Sequence, residues 1–491
     1  MNNTLLILLV ALPLLGALPS SLLAGRTVRW TAGLLALAIM AVALMMLGGL
    51  AQQAWLPLRE TFGGLPWVKD VQPGGLFGAL LDPLSGIMLA IITVIGFLVV
   101  LYSTEYLSSR NRDHPSEEGQ GRYYFWLLLF IGAMVGVAIS PNLFQLFIFW
   151  EMTTLCSWAL ISHYQSSSAI RAGYKALIMT HIGGLCFMIA LVVVFVSSGS
   201  FAFSAVGTLS PGLSLTVFLL LLAAAAAKAA QVPFYTWLPD AMEAPTPISA
   251  YLHAAAMVKA GVYLMLRVVI ENGSLSPSGA LVMVVMASLT MAVAVFFYFL
   301  QDDLKRLLAF STITHLGYIL LATAMGILGS TVGFRGAALH LACHASAKGL
   351  LFLAVGAVAY ATGTKKISEL GGLGRRMPLV GLAFFVGILA VTGVPPFACF
   401  WSKLLMLIGA LELGGALGPL LVALMIAESM VAFGWFLYVG QRVFFGQPSN
   451  PASQARDPGW AMSAPLVVLI LLTVVVPLLA LPVIQLITVP G

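Results

Sequence analysis

Long uninterrupted apolar segments are the feature that most limits what this chain can fold into. The segment 460–487 contains no charged residue, and comparable runs follow one another along almost the whole sequence. The hydrocarbon core of a bilayer is about 30 Å thick, so a helix needs about 20 apolar residues to cross it. Because the runs are continuous and do not alternate between apolar and polar residues, they indicate transmembrane helices and exclude a transmembrane β-barrel.

The composition supports the same fold class. Of the 491 residues, 60% are hydrophobic and 8% are charged, and the mean hydropathy is +1.03, which excludes the soluble globular classes. We predict an all-α polytopic membrane protein with about 14 transmembrane helices. The predicted spans are 4–24, 30–50, 77–104, 123–140, 142–163, 172–198, 212–230, 243–269, 278–300, 304–327, 333–361, 378–410, 417–445 and 460–487.

The distribution of lysine and arginine predicts the orientation. The net charge is +6, but no run of five or more basic residues occurs, so nucleic acid is not expected as a partner. Loops after odd-numbered helices carry most of the basic residues, Lys305 among them, whereas loops after even-numbered helices carry little beyond Arg59 and Lys69. The positive-inside rule therefore puts the odd loops in the cytoplasm and both termini on the outer side. No basic residue precedes the first apolar run, so we expect a retained helix and not a signal peptide.

No sequence pattern indicates a catalytic residue, a metal site or a bound cofactor. The four cysteines lie singly in apolar runs, which favours packed free thiols over an iron–sulfur cluster or a structural zinc site. The sequence has no phosphate-binding loop, so we do not expect ATP to drive the protein directly. Hydrolytic and redox chemistry are therefore not expected in this chain.

Two predicted helices are interrupted by proline. One segment reads KAAQVPFYTWLPD (228–240) and the other reads TGVPPFACFWSK (392–403). Pro233 in the first, and Pro395 and Pro396 in the second, break the helical hydrogen-bond ladder and free backbone groups inside the membrane. Such backbone is tolerated only where it is buried in protein or lines a water-filled cavity. The shared order of Val-Pro, Phe and Trp, with a lysine nearby, predicts a transporter built from repeated units.

Several ionisable residues lie in the middle of predicted spans. A charge at the bilayer centre costs on the order of 3 kcal/mol on insertion scales, so such side chains must face the protein interior or water. Burial favours the neutral forms of lysine and glutamate, which allows these groups to gain and lose a proton near neutral pH. The residues are Glu151, Lys228, His253, Lys259, His340, His344, Lys348, Lys403 and Glu428.

Three of these residues share one face of a helix. His340, His344 and Lys348 are spaced four residues apart, so at about 100° per residue they fall within roughly 80° of one another. They extend over about 12 Å of helix, which is the layout of a proton relay. A metal held by His340 and His344 is an alternative, although no acid in that helix completes such a site. Haem ligation would need a second suitably placed histidine pair.

Simpler roles remain open for some of the charged side chains. Lys403 and Lys175 lie near enough to a helix end to snorkel toward the interface. His181 could satisfy a neighbouring backbone group, and Glu428 could be a structural partner of a lysine. Two function classes therefore remain, ion translocation and a passive scaffold for a larger complex. The number of charges in mid-helix favours ion translocation.

Three sequence blocks resemble the proton-conducting membrane subunits of respiratory complex I. They are LPDAMEAPTPISAYLHAAAMVKAG (238–261), HLACHASAKGLLFL (340–353) and TGVPPFACFWSK (392–403), in the order found in that family. The large subunits of Mrp-type sodium/proton antiporters and the membrane arm of energy-converting hydrogenases have the same motifs. The resemblance covers nearly the whole chain and is strongest from about 77 to 405.

Within the family, three earlier blocks are most similar to the D subunit of hydrogenase-4, a formate-hydrogenlyase-type complex. They read LYSTEYLSSRNRDHP (101–115), GRYYFWLLLFIGAMVG (121–136) and CSWALISHYQS (156–166). The A subunit of Mrp-type antiporters shares the later blocks but has a large C-terminal extension that we do not expect here. We also do not expect the long amphipathic helix that braces the neighbours of the distal complex I subunit.

The resemblance implies an arrangement of domains. Helices 1–3 (1–122) would precede a first antiporter-like repeat of helices 4–8 (123–270). A second, inverted repeat of helices 9–13 (278–445) would follow, and helix 14 (460–487) would end the fold. Helices 7 and 12 would be the broken ones.

The resemblance also implies roles in the first repeat. Glu151 would pair with Lys228 and modulate its affinity for a proton. Lys259, with His253 nearby, would be the central residue of helix 8. Pro233 would open helix 7 so that water and backbone groups reach Lys228.

In the second repeat, the resemblance implies that His340, His344 and Lys348 link the two halves. Lys403 would be the helix 12 lysine toward the exit. No role for Glu428 follows from the resemblance, and it stays a further candidate.

The expected partners follow from the family. They are the lipid bilayer, other membrane subunits and a peripheral hydrogenase or dehydrogenase arm in which electrons are transferred. The expected location is a bacterial inner membrane, with protons or sodium ions as the transported species. The alternative is that the chain belongs to a Mrp-type cation/proton antiporter that works without redox chemistry.

Overall fold

The structure is a computed structural model that describes residues 3–63, 76–115 and 117–490. Lys69, used above in predicting the orientation, lies outside these residues. The strands are β1 (Leu58–Gly63) and β2 (Phe77–Leu81). The α-helices are α1 (Asn3–Leu22), α2 (Gly25–Gln52), α3 (Pro83–Tyr106), α4 (Gln120–Ile139), α5 (Leu143–Ile161), α6 (Ser167–Ser198), α7 (Ala205–Thr208), α8 (Pro211–Lys228), α9 (Trp237–Asp240), α10 (Thr246–Ala254), α11 (Met257–Ile270), α12 (Pro277–Tyr298), α13 (Leu304–Ile327), α14 (Thr331–Thr362), α15 (Pro378–Thr392), α16 (Ala398–Glu412), α17 (Leu417–Phe444) and α18 (Trp460–Ile484).

The predicted transmembrane helices correspond to this order of elements. In the described part of the chain, 13 helical segments are long and apolar enough to cross a membrane, with α10 and α11 counted as one segment. The remaining predicted span, 378–410, consists of two helices of 15 residues each, α15 and α16. The prediction of an all-α polytopic membrane protein is confirmed.

The third span begins later than predicted. Residues 77–81 form β2, which pairs antiparallel with β1, so the predicted helical start at 77 is wrong. The helix α3 begins at Pro83 because Asp82 caps it. The Asp82 carboxylate accepts from the Ser85 amide at 2.8 Å, and the Ser85 hydroxyl accepts from the Asp82 amide at 2.7 Å. This reciprocal cap and a proline at the first helical position fix the start of the helix.

The eighth span, predicted as one helix over 243–269, is interrupted where the sequence has no proline. Ala255 and Ala256 separate α10 from α11, and Ala256 has φ −112° and ψ −125°. The amides of both alanines bond to the carbonyl oxygen of Tyr251, at 3.0 and 2.9 Å. Alanine is the best helix former, so local propensity predicts a continuous helix here and tertiary packing overrides it. The interruption lies about one turn before Lys259.

The helices α13 and α14 form the centre of the bundle. Each is buried over the whole of its most apolar stretch, whereas only 28% of the corresponding stretch of α17 is buried. A polar side chain on a fully enclosed helix must find a partner inside the protein. The histidines and lysines of α13 and α14 are therefore enclosed by protein.

Candidate functional site: a buried row of ionisable side chains

Lys228 is the last residue of α8, and its side chain is fully buried. Its Nζ donates to the carbonyl oxygen of Trp150 at 2.5 Å and to Oγ1 of Thr154 at 2.8 Å. The same atom lies 4.5 Å from the centre of the Trp150 ring. Among the described residues, no carboxylate lies within 4.0 Å of this ammonium. Lys228 is therefore held by neutral acceptors and an aromatic face.

The expected contact between Glu151 and Lys228 is not formed in the structure. Oε2 of Glu151 lies 3.0 Å from Nδ1 of His181 on α6. The cause is the rotation of α5, because Trp150 and Thr154 share the face toward Lys228, while Glu151 is about 100° further round and faces α6. The sequence left open that His181 bonds to a neighbouring backbone group. In the structure its ring contacts the Glu151 carboxylate instead.

The pair of Glu151 and His181 lies at the side of the bundle. The exposed fraction of the His181 side chain is 56%, and that of Glu151 is 24%. Oε1 of Glu151 is buried without a hydrogen-bond partner among the described residues. Gly184 on α6 leaves room for this oxygen, since a Cβ there would collide with it.

Side chains satisfy the backbone groups freed by the first proline break. Nε1 of Trp237 donates to the carbonyl oxygen of Ala227 at 2.9 Å. Nε2 of Gln231 donates to the carbonyl oxygens of Ala229, at 2.8 Å, and of Ile313 on α13, at 3.2 Å. The carbonyl oxygens before Pro233 are thus satisfied by side chains of the same segment, and Gln231 also bonds this segment to α13.

Lys259 connects α11 to the central helix α14. Its Nζ is fully buried and donates to the carbonyl oxygen of Leu341. Gly261, half a turn further on, allows α11 to approach α8, since a Cβ there would lie 2.6 Å from the carbonyl oxygen of Ala225. The two buried lysines of the first half are therefore carried on directly packed helices.

His253 lies before the interruption of the eighth span. Its ring stacks on that of Phe352, with the centroids 4.4 Å apart. Both ring nitrogens are buried without a hydrogen-bond partner among the described residues. Since buried polar groups are normally hydrogen-bonded, His253 has hydrogen-bonding capacity that the described residues leave unused.

A third histidine, His315 on α13, was not among the predicted site residues. It is hydrogen-bonded to His340 and packs against His344, whose ring nitrogens have no hydrogen-bond partner among the described residues. Nδ1 of His315 lies 2.9 Å from Nε2 of His340, and Nδ1 of His340 lies 2.7 Å from Oγ of Ser402. The ring of His344 lies 5.1 Å from that of His315. A neutral imidazole has one donor and one acceptor nitrogen, so the chain from Ser402 through His340 to His315 can transfer a proton.

Lys403 follows the second proline break and is paired with a carboxylate. Its Nζ lies 3.5 Å from Oε2 of Glu428 and 2.8 Å from Oγ of Ser429, and it lies 4.7 Å from the centre of the Tyr318 ring. The hydroxyl of Tyr318 donates to the same carboxylate at 2.7 Å. The exposed fractions are 8% for the Lys403 side chain and 2% for that of Glu428. Lys403 therefore does not snorkel, and Glu428 is its partner.

Two further lysines contact carbonyl oxygens in the interior. Lys348, at the end of the histidine face of α14, is fully buried, and its Nζ donates to the carbonyl oxygen of Leu308 at 3.2 Å. Lys305 was treated above as a loop residue, but it is buried in the first turn of α13. Its Nζ donates to the carbonyl oxygens of Met242 and Ala244, at 2.7 and 2.6 Å. Lys305 therefore counts among the basic residues that predict the orientation, and its side chain also lies in the protein interior.

A buried ion pair that was not predicted connects α11 to the start of α3. The guanidinium of Arg267 donates to both carboxylate oxygens of Asp82 and, at 2.8 Å, to the hydroxyl of Tyr263. Burial by itself would raise the pKa of Asp82, but the charge and hydrogen bonds of Arg267 outweigh it and hold that pKa below its usual value. Asp82 is therefore ionised and anchors this end of the bundle.

The described residues contain no group of three or more histidine, cysteine, aspartate or glutamate side chains arranged to hold a metal ion. The rings of His315, His340 and His344 are stacked or tilted against one another, with centroids 5.1 to 5.9 Å apart.

Comparisons with known proteins match two parts of the chain to family descriptions. Residues 140–430 match "NADH:quinone oxidoreductase/Mrp antiporter, TM", and residues 76–124 match "NADH-Ubiquinone oxidoreductase (complex I), chain 5 N-terminus". The first match contains the lysines and glutamates described above as candidate site residues, which are Glu151, Lys228, Lys259, Lys348, Lys403 and Glu428.

Two curated proteins resemble the chain over most of its length. It is 37% identical over 436 residues to a Na(+)/H(+) antiporter subunit, A1, of Staphylococcus haemolyticus, covering 84% of this chain and 53% of that protein. It is 33% identical over 443 residues to the chloroplastic NAD(P)H-quinone oxidoreductase subunit 5 of Chaetosphaeridium globosum, covering 85% and 64%. The chain thus spans between half and two thirds of the length of these relatives.

Two solved structures have the same fold. The Mrp complex from Dietzia sp. DQ12-45-1b contains a chain with a TM-score of 0.84 and 31% identity, and the match covers 98% of this chain and 51% of that one. The archaeal membrane-bound sulfane sulfur reductase, a respiratory membrane complex, contains a chain with a TM-score of 0.86 and 26% identity, covering 98% and 95%. The chain therefore belongs to the NADH:quinone oxidoreductase/Mrp antiporter family of membrane subunits.

Proposed function

We propose that this protein carries protons, or exchanges sodium ions for protons, as an antiporter-like subunit of a redox-driven membrane complex. The observation that supports the proposal is the row of buried ionisable side chains across both halves of the bundle. Charges in a membrane interior are rare and mark ion pathways. We assign the pathway to Glu151, Lys228, His253, Lys259, His340, His344, Lys348 and Lys403, and we add His315 and Glu428.

The row provides sites of two kinds for a proton. Lys228 and Lys259 are held by carbonyl oxygens, a hydroxyl and an aromatic ring, with no carboxylate among these contacts. Lys403 has the carboxylate of Glu428 beside it. Since burial penalises an isolated ammonium and a nearby carboxylate stabilises it, a proton moving along the row would reach a more favourable site at Lys403. The histidines between them supply ring nitrogens that can accept and donate a proton.

We propose that the two halves are inverted repeats, 123–270 and 278–445, between the N-terminal helices in 1–122 and the last helix in 460–487. Pro233 in the first repeat, and Pro395 and Pro396 in the second, would open the helix next to its lysine. The location we propose is a bacterial inner membrane, with both termini on the outer side, because the loops after odd-numbered helices are the basic ones.

We further propose that electron transfer takes place in partner subunits that include a peripheral hydrogenase or dehydrogenase arm. The relatives named as NAD(P)H-quinone oxidoreductase subunit 5 and as part of a respiratory membrane complex support a redox-driven assembly. The three blocks at 101–115, 121–136 and 156–166 favour a hydrogenase-4-type complex within that class.

A Mrp-type cation/proton antiporter without redox chemistry is the second candidate. It is favoured by the fold shared with a Mrp complex and by the identity of 37% to a protein named as part of a sodium/proton antiporter. The subunits that copurify with the chain distinguish the two candidates, because only a redox-driven complex contains a hydrogenase or dehydrogenase. A sodium gradient that drives proton movement in the absence of an electron donor would favour the second candidate.

The proposed function can be tested in liposomes that contain the whole complex and a pH-sensitive dye. The electron donor is supplied to wild type, to Lys228→Ala and to Lys175→Ala. Lys175 is a suitable control because it lies outside the row, is 39% exposed and is paired with Asp240. We expect Lys228→Ala to reduce acidification at least tenfold while electron transfer and assembly are retained, and Lys175→Ala to behave as wild type.

Unchanged acidification in Lys228→Ala would contradict a proton path through Lys228. The same acidification measurement with Glu151→Gln tests whether the partly exposed Glu151 is needed for proton movement. Normal transport in both variants, with normal assembly, would leave this chain a scaffold.

A further inference from the structure

A groove separate from the ionisable row lies between α2, α3 and α18. It has a volume of about 930 Å³, which is within the range of ligand-binding cavities. The groove lies where α2 begins, α3 ends and α18 begins. These helix ends adjoin the loops after the first, third and thirteenth spans, so the lysine and arginine distribution puts the groove at the cytoplasmic surface.

One end of the groove is basic. Arg26 and Arg110 are exposed there, and neither side chain forms a hydrogen bond or an ion pair with another described residue. The acids of the groove are already bonded. Glu105 accepts from the amide of Gly459 at 2.7 Å, and Glu117 lies 3.3 Å from the guanidinium of Arg29. The groove lining therefore has three arginines and two glutamates and is net positive, and Arg26 and Arg110 have no ion-pair partner among the described residues.

The other end of the groove is apolar, and Leu34 and Leu37 are exposed in it. Leu34 and Leu37 of α2 face Phe97 and Leu101 of α3 across it. Trp30 and Trp460 flank the basic end, with 61% and 65% of their surface exposed. Tryptophan at this depth is typical of the level of the lipid headgroups.

We propose that this groove binds an anionic phospholipid from the cytoplasmic leaflet. The phosphate group lies between Arg26 and Arg110, and the acyl chains lie along Leu34, Leu37 and Phe97. We choose this ligand because its phosphate is negatively charged, as the two arginines require, and because guanidinium groups bind phosphate in a bidentate manner. Basic pockets between transmembrane helices on the cytoplasmic side bind anionic headgroups in other proteins. An apolar segment of a partner protein would leave both guanidinium groups without a counter-charge.

The proposal can be tested by native mass spectrometry of the intact chain, delipidated in detergent and titrated with phosphatidylglycerol or with phosphatidylcholine. The test variant is Arg26→Gln/Arg110→Gln. The matched control is Arg171→Gln/Arg376→Gln, which removes two exposed arginines, one near the start of α6 and one before α15, and does not alter the groove. Inorganic phosphate is added as a competitor in a separate arm, to distinguish a lipid site from a site for free phosphate.

We expect wild type and the control variant to prefer phosphatidylglycerol, and the test variant to bind it about 30-fold more weakly. This factor corresponds to about 2 kcal/mol, at about 1 kcal/mol per arginine near an anionic surface. Millimolar phosphate is expected to leave lipid binding unchanged. Equal affinity of wild type for the two lipids, an equal loss in the control variant, or displacement of the lipid by phosphate would overturn the proposal.

A second measurement tests the occupant in the membrane itself. A photo-crosslinking amino acid at Trp30, in the whole complex embedded in vesicles that contain phosphatidylglycerol, should give an adduct with the mass of the lipid. The same probe at Trp126, a half-buried tryptophan of α4 that does not line the groove, serves as the control and should give a lower yield. An adduct of the Trp30 probe with another protein subunit would show that the groove is a protein interface and would overturn the proposal.

Discussion

The two proline-interrupted helices have similar sequences, but they hold their lysines in different surroundings. Lys228 precedes its break and donates to a carbonyl oxygen and a hydroxyl, with no carboxylate within 4.0 Å among the described residues. Lys403 follows its break and is paired with the buried carboxylate of Glu428. One local motif can therefore hold a buried lysine either with neutral acceptors or in an ion pair, depending on which neighbouring helix supplies the partner.

The largest expected difference between the two breaks is in stability. Lys403→Met leaves Glu428 buried without its counter-charge and should lower the free energy of unfolding by about 3–5 kcal/mol. Lys228→Met removes an ammonium that has no carboxylate partner, so its effect should be much smaller or stabilising. Denaturant titrations in mixed micelles measure both. A similar loss of unfolding free energy in the two variants would mean that the charges of the two lysines are compensated by their surroundings to a similar degree.

Double-mutant cycles measure how strongly each lysine interacts with the glutamate nearest to it in the comparison. For Lys403→Met and Glu428→Gln, we expect a coupling energy of about 2–3 kcal/mol, since the two groups are in contact and buried. The matched cycle of Lys228→Met and Glu151→Gln should give less than about 0.5 kcal/mol, because Glu151 contacts His181 instead. Equal coupling energies in the two cycles would be evidence that Glu151 and Lys228 come together in another state of the protein.

Smaller effects are expected from the hydroxyl groups that bond to the two lysines. Thr154→Val removes one of the two hydrogen-bond acceptors of Lys228 and should cost about 1.5 kcal/mol. Ser429→Ala should cost less, because Lys403 keeps the carboxylate of Glu428. The same unfolding titration compares the two, and a larger loss in Ser429→Ala would reverse the expected order.

The smallest expected effects concern the tryptophans of the two breaks. Trp237→Phe leaves the buried carbonyl oxygen of Ala227 without its donor and should cost about 1 kcal/mol. Nε1 of Trp401 donates to the carbonyl oxygen of Pro396 at 3.2 Å in an exposed position, so Trp401→Phe should change stability by less than about 0.5 kcal/mol. Melting temperatures of the purified variants check this order. Equal shifts would show that burial does not distinguish the two bonds.

Features determined by local sequence were predictable. Length and hydropathy predicted the spans, and Pro233, Pro395 and Pro396 marked the places where two helices end. The interruption at Ala255 and Ala256 was not predictable, because nothing in their local propensity opposes a helix.

Contacts between helices were harder to predict than the helices themselves. The approach of Glu151 to His181 depends on the rotation of α5 relative to α6, and the approach of His315 to His340 depends on the packing of α13 against α14. A lone histidine in an apolar helix carries no sign of its neighbours. Most ionisable residues of the site could therefore be identified from the sequence, whereas His315, the pair of Asp82 and Arg267, and the partners of the others could not.

The dependence of the first break on α13 has a consequence for biosynthesis. The carbonyl oxygens of Ala229, Met242 and Ala244 accept from Gln231 or Lys305, and Gln231 also bonds to Ile313 of α13. Because α13 leaves the ribosome later than this segment, the first half enters the bilayer before some of its backbone groups have their final partners. We therefore expect a nascent chain that stops before α13 to be sensitive to proteolysis at 229–244. When the protein is made as two fragments divided just before α13, we expect the first fragment to become resistant only if both fragments are produced together.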